Sequence, residues 1–176
     1  GIHTGEHSRV IIAPAAHETE FRVKNRRIPA GREFVRDTRH RVVLDDIWTV
    51  EHLLGVLFFL QIDCCEIWVE KGREIPGLDG GGWEIYRRIK EAGIEELDKE
   101  KEMAKLSGIY REDDRIFLVY PSSGFSAFYL VDYPHPLFPA WYLADMENPE
   151  PVMRARTYTF LSWVEELREE GLALGG

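Results

Sequence analysis

The chain is short of cysteine, of basic charge and of long apolar runs, and each shortage closes a class of explanation. Its two cysteines, Cys64 and Cys65, are adjacent within an apolar stretch, so they do not read as a structural disulfide. That usage suits a reducing compartment and a cytoplasmic location. Lysine and arginine total 22 against 31 aspartate and glutamate, a formal net charge of −9. Such a balance argues against non-specific nucleic-acid binding, which needs a basic face to displace counterions. The longest apolar run, Leu53 to Leu60, is about eight residues, far short of the roughly 20 that span a bilayer, so no stable membrane insertion is expected. No signal-peptide pattern follows Gly1. Low-complexity segments, a nucleophile elbow and a phosphate loop are also missing, and Gly80-Gly81-Gly82 lacks the G-x-G-x-x-G spacing of a dinucleotide site.

What is present is globular: 44% of the 176 residues are hydrophobic. Ser8 to Pro14 and Glu20 to Val23 alternate as strands do, with a turn at Asn25-Arg26-Arg27, and Arg41 to Leu44 extends the sheet. Thr49 is placed to cap a helix running from Val50 to about Leu60, followed by a strand over Glu66 to Glu70. Pro76 and the glycines after it form a sharp loop before a helix from Trp83 to about Ala92, closed by Gly93. The charged stretch Glu95 to Lys105 reads as a connection between domains. Further strands are expected near 107–110, 115–120, 125–132 and 141–146, then a helix over about 160–170. Strands followed by helix in each half predict an α+β architecture with domains at 1–99 and 105–176. The chain starts without methionine and stops just after a helix with no packing partner in view, which predicts a complete first domain and part of a second.

The chemistry concentrates at Glu51-His52, where a helix begins. Near a helix N-terminus, unpaired N–H groups and the dipole favour an ionised carboxylate and a neutral imidazole. Those are the states that a general base and a zinc ligand need. On spacing alone an ordinary capped helix start is the simpler account of the pair, and no second cluster completes the three protein ligands that a catalytic zinc normally takes. His3-Thr4-Gly5-Glu6-His7 matches H-x-x-E-H, but Gly5 and the strand that follows rule against the helix this motif requires. Arginines gather at 22–27, at 36–41 and at 154–156; each cluster reads as a solvated face or as a local site for an anionic small molecule.

Six segments in this order carry a resemblance: Gly1 to Glu6, Thr49 to Leu53, Glu74 to Gly80, Asp132 to Pro136, Arg154 to Phe160 and Gly171 to Gly176. Together they resemble the bacterial UDP-3-O-acyl-N-acetylglucosamine deacetylases of lipid A biosynthesis in Gram-negative organisms. The resemblance implies two α+β halves of the ribosomal S5 domain 2-like kind, mixed sheets with the helices between them, the second half truncated here. It further implies a cytoplasmic, zinc-dependent amidase acting on a UDP-linked acylated glucosamine at the committed step of that pathway, monomeric as the family typically is. By the same resemblance Glu51 matches the general base, His52 a zinc ligand and Thr157 the oxyanion hydroxyl. Tyr133 matches an aromatic stacking on uracil, Tyr158 and Phe160 aromatics near sugar and acyl chain, and His3 a histidine near the polar head of the substrate. The family's remaining ligands, a His and an Asp four residues apart, have no counterpart, since no H-x-x-x-D occurs in the sequence. The chain alone is therefore expected to be inactive, the alternative being a non-catalytic relative that binds a nucleotide sugar.

Overall fold

A computed structural model of the chain describes residues 1–98, 100–101 and 106–175. Among them the order is β1 (Arg9–Pro14), β2 (Glu20–Val23), β3 (Arg26–Pro29), β4 (Val35–Asp37), β5 (Val43–Leu44), β6 (Ile47–Trp48), α1 (Glu51–Phe59), β7 (Cys65–Lys71) and α2 (Trp83–Ala92). It continues through β8 (Gly108–Glu112), β9 (Arg115–Val119), β10 (Ser126–Val131), β11 (Ala140–Asp145), α3 (Glu150–Arg154) and α4 (Leu161–Glu169). The architecture is α+β, as the element order predicts.

The chain divides into two compact units, Gly1–Ile94 with Glu150–Gly176, and Glu95–Pro149. Residues 150–176 thus pack with the first unit, whereas the sequence grouped them with the second. Buried apolar side chains account for the placement: Met153 belongs to the core of the first unit, and Leu167 and Leu172 are buried as well. The chain ends meet too, the N–H groups of Leu174 and Gly175 donating to the carbonyls of His3 and Ile2 at 3.2 and 3.0 Å. The expected boundary residues 99 and 105, and Gly176, lie outside the described residues.

In the first unit, a mixed sheet is ordered β1-β7-β2-β3, with β7 antiparallel to β1 and parallel to β2. Period-two alternation in β7 turns Cys65, Ile67 and Val69 inward and leaves Trp68 and Glu70 outside. Their inner face meets Leu53, Val56 and Leu57 of α1, joined by Phe21 and Ile28. Burying one such side chain stabilises by about 1.5–3 kcal/mol, so this layer is the main source of cohesion. A second sheet, β4-β5-β6, is short and antiparallel and leads into α1. The turn expected at Asn25–Arg27 sits one residue earlier: Lys24 adopts φ 53° and Arg26 already pairs with Val23.

The second unit carries two antiparallel pairs, β8-β9 and β10-β11. Ile109, Leu118, Phe128 and Trp141 on these strands are each at least 64% exposed. A two-stranded sheet has no second layer of its own to cover such side chains. No helix among the described residues is long and apolar enough to cross a membrane.

One carboxylate ties the first unit together. Glu74, 1% exposed, accepts hydrogen bonds from the N–H groups of His3 (2.9 Å) and Thr4 (2.8 Å) and from the hydroxyls of Thr4 (2.7 Å) and Thr49 (3.1 Å). Burial alone would raise its pKa, but these four donors outweigh burial and hold it below the ordinary glutamate value. Replacing Glu74 by Ala strands several buried donors and should cost about 2–4 kcal/mol in urea unfolding. A depressed carboxyl pKa adds stability that is complete above the unfolded value and is lost as pH falls through the folded one. Glu74→Gln should therefore flatten the acid limb of the stability profile; an unchanged limb would exclude Glu74 as its source.

Candidate active site

The start of α1 differs from the expected capped helix. Val50 stands at the N-cap position in helical conformation with no side-chain cap. Thr49 adopts φ 60° and spends its hydroxyl on Glu74 rather than on the helix. The unpaired donors at this end are thus left without a threonine cap, and Glu51 and His52 become the first two helical residues.

The Glu51 side chain is positioned by the β4–β5 connection. The Val42 N–H donates to Glu51 Oε2 at 2.9 Å, and the Val42 carbonyl accepts from the Val50 N–H at 3.3 Å. With Oε2 held by the backbone, Oε1 lies 3.9 Å from His52 Nε2. The same nitrogen lies 3.3 Å from Thr157 Oγ1, across 105 residues of sequence. Thr157 arrives there because the segment before it is pinned: the Met153 carbonyl accepts from the Gly82 N–H at 3.1 Å, and Gly81 bridges to Arg156. Glu51 and His52 border a groove of about 140 Å³ whose wall includes Val56, Gly82, Met153 and Ala155.

The remaining residues implied by the resemblance fall in three places. His3, 8% exposed, sits on the Glu74 network and accepts from the Ala173 N–H through Nδ1 at 3.4 Å. Burial pushes its pKa below the usual histidine value, assisted by Arg41 and His40 and opposed by Glu74 and Glu51. Tyr158 and Phe160 precede α4 as an edge-to-face pair with ring centres 6.1 Å apart, and Phe160 also packs against Trp163 at 4.6 Å. Tyr133 belongs to the second unit, edge-on to Phe138 at 5.2 Å. Sequence reasoning assigned no role to Glu74; an acid standing between the apolar strand and Ile75-Pro76 was the available signal.

The donor set suits zinc in part. An imidazole nitrogen and a carboxylate meet in one groove, and both are donors that zinc accepts, but the described residues bring no third donor to them. Among those residues the one group of three candidate metal donors is elsewhere: His17, Glu20 and Glu66. There Arg22 already pairs with both carboxylates, and its guanidinium, with His17 and Trp68 assisting, keeps the Glu66 pKa low. A fixed cation in that position disfavours a second one.

A family profile described as LpxC, UDP-3-O-acyl N-acetylglycosamine deacetylase, matches residues 1–176. Curated relatives carrying the name UDP-3-O-acyl-N-acetylglucosamine deacetylase include those of Aquifex aeolicus (36% identical), Thioalkalivibrio sulfidiphilus (34%) and Nitratidesulfovibrio vulgaris (31%). Each alignment covers 100% of this chain, which spans 64%, 64% and 62% of the respective relatives.

The His3 environment makes a direct prediction. Its ring should titrate below the usual histidine value, staying neutral where an exposed imidazole is half protonated. Following the ring protons by NMR tests this, and a midpoint at or above the usual histidine value would contradict the burial argument.

Proposed function

Because the chain belongs to the UDP-3-O-acyl N-acetylglycosamine deacetylase family, we propose that it carries part of a zinc-dependent amidase centre. The substrate class is a UDP-linked, 3-O-acylated N-acetylglucosamine, from which the acetyl group leaves as acetate. The shared name of the curated relatives supports that substrate class; a place in lipid A biosynthesis in the cytoplasm of a Gram-negative bacterium is part of the same proposal.

The observation that carries the reading is the meeting of Glu51, His52 and Thr157 around one nitrogen, His52 Nε2, at 3.9 and 3.3 Å. A base, a ligand and a hydroxyl donor are the parts that hydrolysis of an amide requires. Glu51, aimed by the Val42 N–H, takes a proton from the attacking water through Oε1. Thr157 donates its hydroxyl to the carbonyl oxygen as that oxygen gains charge. His52 offers Nε2 to a zinc ion, which when bound polarises the carbonyl and acidifies water. Tyr158 and Phe160 present an apolar pair for the sugar and acyl chain, Tyr133 an aromatic face for uracil, and His3 a neutral imidazole for the polar head. One imidazole does not make a catalytic zinc site, for which three protein ligands are normal. On that ground the 176-residue chain by itself turns over negligibly.

Acetate release by the full-length gene product tests the proposal. There Glu51→Gln should lower kcat by about 10²–10⁴-fold and Thr157→Val by about 10²–10³-fold. Chelation should abolish the activity, and zinc should restore it. A zinc-loaded full-length protein that releases no acetate, or a Glu51→Gln variant at the parental rate, would sink the reading.

A further inference from the structure

A recess of about 330 Å³ opens between the turn joining β4 to β5 and the residues that follow α4, walled by Asp37, Arg39, His40, Arg41, Trp48 and Glu170. We propose that this recess is an oxyanion site that takes a phosphate or diphosphate group against the guanidinium of Arg41. The oxyanion site rests on the Arg41 geometry alone, whereas its assignment to a nucleotide-linked diphosphate rests on the proposed substrate class.

Arg41 is fixed in place but not satisfied. Its side chain is only 11% exposed, and its guanidinium carbon lies 3.9 Å from the centre of the Trp48 ring. Arg73 lies at the same distance from that ring, so the two guanidinium groups must occupy opposite faces of the indole. Stacking of this kind sets the plane of Arg41 while leaving its N–H edge to find acceptors. Its Nε is buried and meets no acceptor among the described residues. The nearest carboxylate oxygen, Asp37 Oδ2, is 3.9 Å from a terminal nitrogen, beyond hydrogen-bond reach. Asp37 is engaged instead by Arg39, whose backbone N–H and Nε approach Oδ1 at 3.0 and 3.4 Å.

A buried guanidinium edge without an acceptor is costly, and its forked planar geometry matches phosphate oxygens two at a time. Arg39 and His40 on the same wall add positive or donating groups. The recess is also larger than one phosphate needs, which admits a diphosphate. Asp37 and Glu170 set the limit on affinity, since an incoming anion must approach past both.

The test is calorimetric titration of the chain at low salt with inorganic pyrophosphate, with uridine diphosphate and with uridine. Pyrophosphate should bind, Arg41→Met should weaken binding by about ten- to a hundredfold, and Arg41→Lys should fall between. Glu170→Gln should strengthen it. Displacement of pyrophosphate by uridine diphosphate but not by uridine would identify the diphosphate of a nucleotide-linked ligand as the occupant. Binding of pyrophosphate without such displacement would identify a free inorganic anion. Because Arg41→Met removes a stacked side chain and can disturb the fold, the Arg41 Nε–H resonance of the unmodified chain is followed in parallel. A shift of that signal on adding pyrophosphate supports the site. No heat and no shift, or full affinity retained in a folded Arg41→Met variant, overturns it.

Discussion

The geometry of the first unit depends on one buried carboxylate. An ionised acid removed from water is tolerated only where hydrogen bonds replace its hydration. Glu74 meets that condition with donors from His3, Thr4 and Thr49, segments distant in sequence. Each donor is consequential for the site. Drawing Thr49 toward Glu74 goes with its left-handed backbone and removes it from the helix cap, which fixes where α1 begins. Holding His3 and Thr4 gives the 1–5 turn a defined position, and the 172–175 segment then bonds to that turn. The entry to α1, the buried imidazole of His3 and the end of the chain therefore share one anchor.

Legibility from sequence followed the local signals. α2 lies where read, Trp83 to Ala92, because glycines mark both its ends and its apolar residues keep helical spacing. β7 was equally legible through its alternation. The start of α1 was not, because Thr49 had a tertiary acceptor that local capping rules cannot see. β4 and β6 are too short, at three and two residues, to show a period. α3, with five residues, was missed for the same reason. The placement of 150–176 with the first unit rests on Met153, Leu167 and Leu172, whose burial partners are non-local.

The same division holds at the site. Glu51 and His52 are neighbours, so their pairing was visible; that Thr157 meets them was available only through the resemblance, because nothing in spacing alone links residues 105 apart. The arginine clusters show the reverse limit. Composition argues against a broad basic face, since the net charge is −9, but charge counting does not distinguish a compensated arginine from an uncompensated one. Arg26, exposed, meets Asp45 and Asp46 at 2.6 Å each. Arg41, nearly buried, finds among the described residues the face of Trp48 and a carboxylate at 3.9 Å. The burial of each guanidinium and the acceptors within its reach decide its role, and both are properties of the fold.

Val42 links the two regions. Its N–H aims the carboxylate of Glu51 and its carbonyl receives the Val50 N–H, so a single peptide segment sets both the orientation of the candidate base and the entry into its helix. Arg41 is the residue immediately before it. Both Val42 bonds lie on the backbone, so substituting the Val42 side chain leaves them available, whereas moving the 38–42 turn would displace Glu51 Oε2 from its donor. Orientation matters more for a base than for a charged surface group, because proton transfer requires hydrogen-bond reach to the reacting water. The stacking of Arg41 on Trp48 is therefore a steric support for that turn in addition to a source of charge, and Trp48 is itself held to the Arg73–Ile75 segment by bonds of 2.8 and 2.9 Å. Through that segment the turn is tied back to Glu74, so the carboxylate that binds the chain ends together also limits how far the candidate base can drift from His52.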